Sequence, residues 1–569
     1  MDSRPPLCQY FGDTEVPPAS QFFDEIGTSP SDMIQSVYLG DGGGNSASLS
    51  TSLFGQTSLT QSIDSQDNAF ADIVPTVSGS TALPAKNLPD PSTFFDTIGP
   101  EPQIPLSPNY RISSSAVLVD AMEGLTIKNQ LMDIEEQRRR DAWIPDDEAL
   151  RSIVKAQSSP SGSFFPDRES LTMPGLVLEE ELPDALQEVS VKYLGVSAAG
   201  SRGVVRAEHV SRDEAGVREL LRTGYLRAAV NLTGSLITAT GQGAGRMQRP
   251  TKHTPRSLQL WLTRFAVMLR LKLHEPLTME AEPFGDFSKP DMFYQFYPET
   301  YGNRTGSLVP FSLRLLVAEL PGHVGKPEEA LERLVALQHV ISQMLSNLNE
   351  GKTEDGSGNI TSEQDKMEST RLWTGRETRV QHSIVNCAIA MKDFRLASHV
   401  LGRMTSPGAG GKRAQYSAMG RLWLAAGHIR AATRMFKLAS EERSLGCPTP
   451  DVREYVDCGL LDISYGKYQE AYNNFVKAAD QEPTNIMVAN NIAVCLLYMG
   501  RLKEAIGVLQ KAINSAPERA LNESLLVNLC TLYELESSKT NEKKLNLLRM
   551  LCKYKSDTIP NILECLKLS

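Results

Sequence analysis

Small and apolar residues between positions 452 and 517 follow a pattern that repeats after 34 residues. Gly459, Gly466, Tyr468, Ala471, Phe475, Ala478 and Pro483 are answered by Ala493, Gly500, Leu502, Ala505, Leu509, Ala512 and Pro517. The spacing predicts a helix, a tight turn and an antiparallel helix in each unit. Gly459/Ala493 and Ala471/Ala505 fall where the two helices cross, because a larger side chain would push the axes apart. Gly466 and Gly500 fall at the turn, where a positive φ is cheap only for glycine. Phe475 and Leu509 fill the space toward the next hairpin. Pro483 and Pro517 end the second helix, since proline lacks the donor and clashes inside a helix.

Weaker versions of the pattern extend toward the N-terminus. Gly224, Leu226, Ala229, Thr233 and Leu236 fit one unit, and a helix beginning at Leu258 places Trp261, Phe265 and Met268 on one face. Further units are marked by Ala318, Gly325, Ala330 and Leu334, by Phe394, Ala397 and Leu401, and by Gly420, Gly427, Ala432, Phe436 and Ala439. A last hairpin covers 524–553. A 34-residue period of helical hairpins is the tetratricopeptide signature, and degenerate outer units are expected of such arrays. The chain is therefore expected to be all-α, a solenoid of antiparallel hairpins over residues 205–569. An aromatic, proline-bearing insertion interrupts it at 282–310. Its Phe293, Tyr294, Phe296, Tyr297 and Tyr301 are candidate partner contacts, because aromatics dominate interface energetics. Packing against the solenoid itself is the equal alternative.

Charge divides the chain. Residues 1–110 hold 13 Asp/Glu against only Arg4 and Lys86, while the remainder holds 56 basic and 55 acidic residues. Residues 1–115 are rich in Ser, Pro, Gly and Asp and are expected to be disordered, since they cannot bury enough apolar surface to offset ordering entropy. Within them Phe22-Phe23-Asp24-Glu25-Ile26-Gly27 is echoed by Phe94-Phe95-Asp96-Thr97-Ile98-Gly99. Paired aromatics beside acids, with Ile26/Ile98 and Gly27/Gly99 at matching steps, read as two linear motifs for a hydrophobic groove. Residues 116–204 are expected to hold one helix, over 116–140, followed by a partly ordered linker. The Arg138-Arg139-Arg140 run is expected to be a solvated helix end.

Catalytic chemistry finds little support. Gly241-Gln242-Gly243-Ala244-Gly245 resembles a dinucleotide loop but follows a helix, and is expected to be a flexible connector. Pro407–Arg413 misses the phosphate-loop spacing and reads as an inter-repeat turn. Loops at 350–365 and 405–412 are expected to be mobile. The eight cysteines include no CxxC, and no His/Cys cluster has zinc-ligand spacing, so no cofactor or metal is expected. The N-terminus carries no leader pattern and no apolar run reaches the ~18 residues of a membrane span. A cytosolic protein with no bias toward nucleic acid is expected. The Lys and Asn positions that clamp a peptide carboxylate in chaperone-binding repeats are occupied here by Val456 and Leu460 and by Asn490 and Val494, and one Asn does not make a clamp.

Segments inside and outside the repeats carry a more specific likeness. DAWIP (141–145), LTMPGL (171–176), LRAAVNLTGSLITATGQG (226–243), SLQLWLTRFAVMLRL (257–271), EPFGDFSKPDMFYQFYPETY (282–301), VPFSLRLLVAEL (309–320), NNIAVCLLYMGRLKEA (490–505), LYELESSK (532–539) and CLKLS (565–569) resemble subunit 12 of the trafficking (transport) protein particle complex, TRAPP. The resemblance implies a non-catalytic scaffold subunit of a vesicle-tethering assembly acting between the endoplasmic reticulum and the Golgi. It implies subunits 8 and 11 as direct partners, a Rab-family GTPase served indirectly by the whole complex, and peripheral membrane association through that complex. A free-standing peptide-binding adaptor remains the other reading of the repeats alone.

Overall fold

Seven helical hairpins reverse direction through a single left-handed residue: Gly224, Lys272, Gly325, Lys392, Gly427, Gly466 and Gly500, with φ between 57° and 82°. At each, the left-handed residue's amide bonds the carbonyl three residues back, and the next amide bonds the carbonyl five back. Gly466 N–H to Ile463 and Lys467 N–H to Asp462, at 2.8 and 2.9 Å, are typical. This bond pair satisfies the carbonyls that a helix end leaves unpaired.

The computed structural model describes residues 118, 121–122, 124–125 and 134–568, apart from 160–165, 200–201, 361, 405–410, 444–449, 537–538 and 560. Both FFDxIG segments and the remainder of 1–115 lie outside the described residues, as does most of the 405–412 loop. The hairpins pair Glu214–Thr223 with Leu226–Ala239, Pro255–Arg270 with His274–Ala281, and Phe311–His323 with Pro327–Asn349. The series continues with Glu363–Ala390 and Phe394–Arg403, Gly411–Ala425 and Ile429–Glu441, and Val452–Ser464 and Tyr468–Gln481. It ends with Ile486–Tyr498 and Leu502–Ser515, then Glu523–Glu536 and Thr540–Tyr554. Among the described residues, β pairing is confined to isolated bridges such as Phe293 with Ser307.

The predicted register has a direct steric cause. A Cβ on Gly459 would lie 2.7 Å from the Phe475 ring, and one on Gly420 would lie 2.3 Å from the Phe436 ring. Where the partner is the smaller Leu509, Ala493 takes the glycine's place. Ala471, Phe475, Ala478, Ala493, Ala505 and Leu509 are all buried, and Ala512 is half-buried.

The stretch ahead of the first hairpin joins the same core. Trp143, Ala149, Ile153 and Leu176 pack among hairpin residues, with the Trp143 and Trp373 rings 6.3 Å apart. The helix Ala185–Leu194 places Leu186 and Val189 in the C-terminal core instead, beside Leu547, Leu551 and Ile562. The array's ends also meet. Asp557, buried, accepts from the Leu226 and Arg227 amides at 2.6 and 2.9 Å, so the last segment caps the second helix of the first hairpin. Lys272 pairs with Glu523 at 2.8 Å. Removing that cap with Asp557→Ala is expected to cost about 1–2 kcal/mol, with faster amide exchange at both 226–230 and 550–566. Exchange unchanged at either end would contradict the closure.

Three expectations are corrected. Arg138 and Arg139 are not a solvated helix end. Arg138 donates to the fully buried Glu354 at 2.8 Å, while Arg139 is 7% exposed and pairs with Glu368 and Asp365. Arg140 is the most exposed of the three. The 350–365 loop is pinned rather than loose: Glu354 also accepts from Ser369 Oγ at 2.8 Å, and Asn347 Nδ2 donates to the Glu354 carbonyl at 3.0 Å. The Gly241–Gly245 connector is likewise built in. Gln242 is fully buried, donates to the Lys252 carbonyl at 2.9 Å and accepts from Trp261 Nε1 at 2.9 Å.

Candidate protein-interaction surface

The aromatic insertion turns most of its rings inward. Phe284, Phe293 and Tyr294 are at most 2% exposed, and Phe284 packs at 5.4 Å from Trp261 and 5.7 Å from Phe265. Phe293 and Tyr294, expected as partner contacts, therefore present no side-chain surface. The reason is local: Tyr294 Oη donates to Asp141 Oδ2 at 3.0 Å, and Arg304 pairs with the same carboxylate while lying 4.1 Å from the Tyr294 ring. Burial and the Asp141 charge drive the Tyr294 pKa up.

Asp141 and Asp291 tie the insertion to the two N-terminal segments that carry the family likeness. The Asp141 carbonyl accepts from Ser307 N at 2.7 Å. Asp291 accepts from Thr172 N at 2.7 Å, and His253 Nε2 lies 3.0 Å from the Thr172 carbonyl. Arg314, buried, is sandwiched by Trp143 at 3.9 Å and Phe287 at 5.3 Å, and donates to Ser307 Oγ at 2.7 Å. Burial brings its pKa down to about 9. Beneath them, Arg264 and Glu280 form a pair 1% and 0% exposed. The guanidinium makes bonds of 2.6 and 2.8 Å to the carboxylate. The residual donors reach the Val230 and Leu178 carbonyls, and Glu280 also accepts from the Val177 and Leu178 amides. DAWIP, LTMPGL, the 257–271 helix and the insertion thus form one interlocked unit.

What this unit leaves at the surface is its rim. Phe296, Tyr297 and Tyr301 are half-buried, in edge-to-face contact at 5.1 Å (Phe296–Tyr297) and 6.4 Å (Tyr297–Tyr301). Pro298, Glu299, Thr300, Asn303 and Arg304 around them are exposed.

The groove positions of the last hairpins offer no equivalent site. Val456, Leu460, Asn490 and Val494 are at most 4% exposed. Their neighbours form internal polar contacts: Arg421 Nε to Asp457 at 2.9 Å, Ser417 Oγ to Asp457 at 2.5 Å, and Asn528 Nδ2 to Asn490 at 2.9 Å. Reactive groups are also quiet. Burial pushes Cys387, Cys495, Cys530 and Cys565 up to about 12. No cluster of three potential metal ligands occurs among the described residues. No helix among them is long and apolar enough to cross a membrane.

Buried histidines give the body an acid sensitivity. His323 stacks on His274 at 6.4 Å. Burial, then the neighbouring ring, lowers its pKa to about 3, and burial lowers His382 to about 4. Unfolded, both would bind a proton near 6.5. The unfolded state therefore takes up protons first as pH falls, and stability drops from about pH 6.5 downward. Melting temperature is expected to fall between about pH 7 and about pH 5, above the carboxylate range. His323→Asn should flatten that fall; an unchanged slope would contradict it.

A tetratricopeptide repeat family model matches residues 463–527, the stretch that holds most of the seven-step register. The human protein named Trafficking protein particle complex subunit 12 is 35% identical over 542 residues, 92% of this chain and 72% of the relative. This chain belongs to the trafficking protein particle complex subunit 12 family. The mouse protein of the same name is 36% identical over 436 residues, 76% of this chain and 54% of the relative. Two solved repeat proteins also align. YrrB, described as having an unusual peptide-binding site, is 13% identical, covering 33% of this chain and 89% of its own, with a TM-score of 0.22. The P58(IPK) domain is 14% identical, covering 59% and 96%, with a TM-score of 0.14. At those scores neither adds to the fold assignment. The family likeness reaches well beyond the repeat match, into the interlocked N-terminal segments and the insertion.

Proposed function

We propose that this chain is a non-catalytic scaffold subunit of a TRAPP-type tethering complex in endoplasmic reticulum to Golgi transport. The observation that carries the reading is family membership across 92% of the chain. In this reading the repeat array holds neighbouring subunits through its outer surface, with subunits 8 and 11 as direct partners. A Rab-family GTPase is served by the complex, and membranes at the Golgi or the endoplasmic reticulum–Golgi intermediate compartment are reached only through it. Phe296, Tyr297 and Tyr301 on the rim of the insertion are the proposed contacts, half-exposed aromatics on a rigid base being suited to hot spots. The buried positions at Val456, Leu460, Asn490 and Val494 weigh against a free-standing peptide-binding adaptor.

The test is co-elution of the full chain with tagged subunit 11. The reading expects a complex that survives moderate salt and that Phe296→Glu with Tyr301→Glu weakens at least about tenfold, an interface hot-spot effect. No co-elution at any salt would overturn the direct partnership.

A further inference from the structure

Two consecutive hairpins carry positive charge that the fold leaves unneutralised. Residues 391–440 contain nine Lys/Arg and one acid, Asp393. Arg421 and Arg413 are taken up internally, the first by the buried Asp457 and the second by Asp451 and Glu454. The remainder stand mostly on the second helices of the hairpins, Phe394–Arg403 and Ile429–Glu441, which both pack against the Gly411–Ala425 helix. The first of them buries Ala397 and Leu401 and exposes Arg395, His399 and Arg403, at steps of four. The second buries Ala432, Phe436 and Ala439 and exposes Arg430, Arg434 and Lys437, at steps of four and three. Helical spacing turns each set away from the core. The nearby acids are few: Asp393 caps its own helix through the Leu396 amide at 2.9 Å, and Glu441 lies 3.9 Å from Lys437 with Glu442 beside it at the helix end. Arg395, Arg403, Arg430 and Arg434 have no ion-pair partner among the described residues, and residues 405–410 and 444–449, outside them, contain no Asp or Glu.

The chemistry of these cations selects their partner. Apart from Lys437, the exposed cations of the two helices are arginines, whose planar fork matches a carboxylate through two parallel hydrogen bonds. Four residues of helix rise about 6 Å. That is the spacing of carboxylates one turn apart on an acidic helix, and close to that of alternate residues in an extended acidic chain. A lipid surface fits less well, because a protein that lies on a membrane adds apolar side chains that enter the headgroup boundary. Among the described residues, none of the large exposed apolar side chains falls within 391–443. We infer that the Arg395/Arg403/Arg430/Arg434 face is a docking surface for an acidic, Glu- or Asp-rich segment of a partner protein. It is carried by other hairpins than the aromatic rim and uses other chemistry, so it stands whether or not the rim binds a subunit. Binding rests on several charge-assisted contacts at the surface, so it is strongly dependent on ionic strength.

Fluorescence anisotropy of a labelled oligoglutamate of about 20 residues, about 65 Å when extended, titrated with the full chain, tests this. Affinity should fall roughly tenfold between about 0.05 M and about 0.2 M salt as screening shortens the Debye length. Arg395→Glu, Arg430→Glu and Arg434→Glu together should weaken binding at least about tenfold at low salt, with melting unchanged because no ion pair of the fold is lost. Arg395→Gln, Arg430→Gln and Arg434→Gln, which remove the charge and keep the bulk, should give most of the same loss. Lysine at the same three positions should weaken binding about threefold, since an ammonium cannot make the paired contact. Zero-length carbodiimide coupling, read by mass spectrometry, should place the peptide on Lys392 and Lys437 ahead of other surface lysines. No binding at about 0.05 M salt, where screening is weak, would overturn the inference, as would binding that the substitutions leave intact or couplings scattered over all surface lysines. Sedimentation with vesicles of equal phosphatidylserine and phosphatidylcholine through the same arginines, by a chain that does not bind the peptide, would overturn it in favour of a membrane. Salt-sensitive self-association abolished by the same substitutions would overturn it in favour of a second copy.

Discussion

Arg264→Ala should lower the free energy of unfolding by roughly 3–5 kcal/mol, the range for breaking a buried ion pair on one side. The substitution strands Glu280, which is fully buried, and takes a donor from the Val230 and Leu178 carbonyls. Arg264→Lys should recover only part of the loss, because an ammonium cannot make the bidentate contact and reach both carbonyls. Replacing both charges with methionine should cost less than either single change, since the desolvation penalty disappears along with the attraction. Denaturant unfolding of the three variants beside the parent reads the outcome. A cost for Arg264→Ala below about 1 kcal/mol, the range of exposed pairs, would mean that the junction between the 257–271 helix, the 171–178 segment and the insertion is not as tight as its geometry.

Gly459→Leu should cost about 3 kcal/mol, at the upper end of core overpacking. A Cβ there already meets the Phe475 ring at 2.7 Å, and that ring is fully buried. The neighbouring unit supplies the remedy: the equivalent pair is Ala493 with Leu509. Gly459→Ala combined with Phe475→Leu should therefore melt close to the parent, while Phe475→Leu alone should lose about 1 kcal/mol for the space it vacates. If the double variant were no better than its worse single, the 34-residue register would be misaligned.

The repeat was legible because two physical demands leave a mark on residue type. Close helix crossing admits only Gly or Ala opposite a large partner, and a left-handed turn favours Gly. Where tertiary packing overrode the second preference the mark vanished. Lys272 and Lys392 take the same turn with φ of 57° and 60°, and nothing in a lysine announces that conformation. The insertion was visible as aromatic sequence, but composition does not distinguish rings that face a partner from rings that face the core. Asp141, 152 residues before Phe293, decides the matter by fixing Tyr294 and Ser307 inward. Long-range pairing also explains the other misreadings. Glu354 turned an arginine run into a clamp, and Trp261 with His253 turned a glycine-rich connector into a buried junction around Gln242. None of these partners is close enough in sequence to form a pattern. What remained readable was the family likeness, and four of its segments, at 141–145, 171–176, 257–271 and 282–301, prove to be the ones that interlock.

The placement of this chain within a tethering complex is tested most directly by affinity purification of the tagged full chain from cells, with quantitative mass spectrometry of what accompanies it. The account predicts that other TRAPP subunits are the most enriched proteins, with subunits 8 and 11 foremost, and that the rim substitutions Phe296→Glu and Tyr301→Glu deplete them while the chain's own abundance holds. Recovery of the chain alone, or with a set of partners that includes no TRAPP subunit, would contradict it.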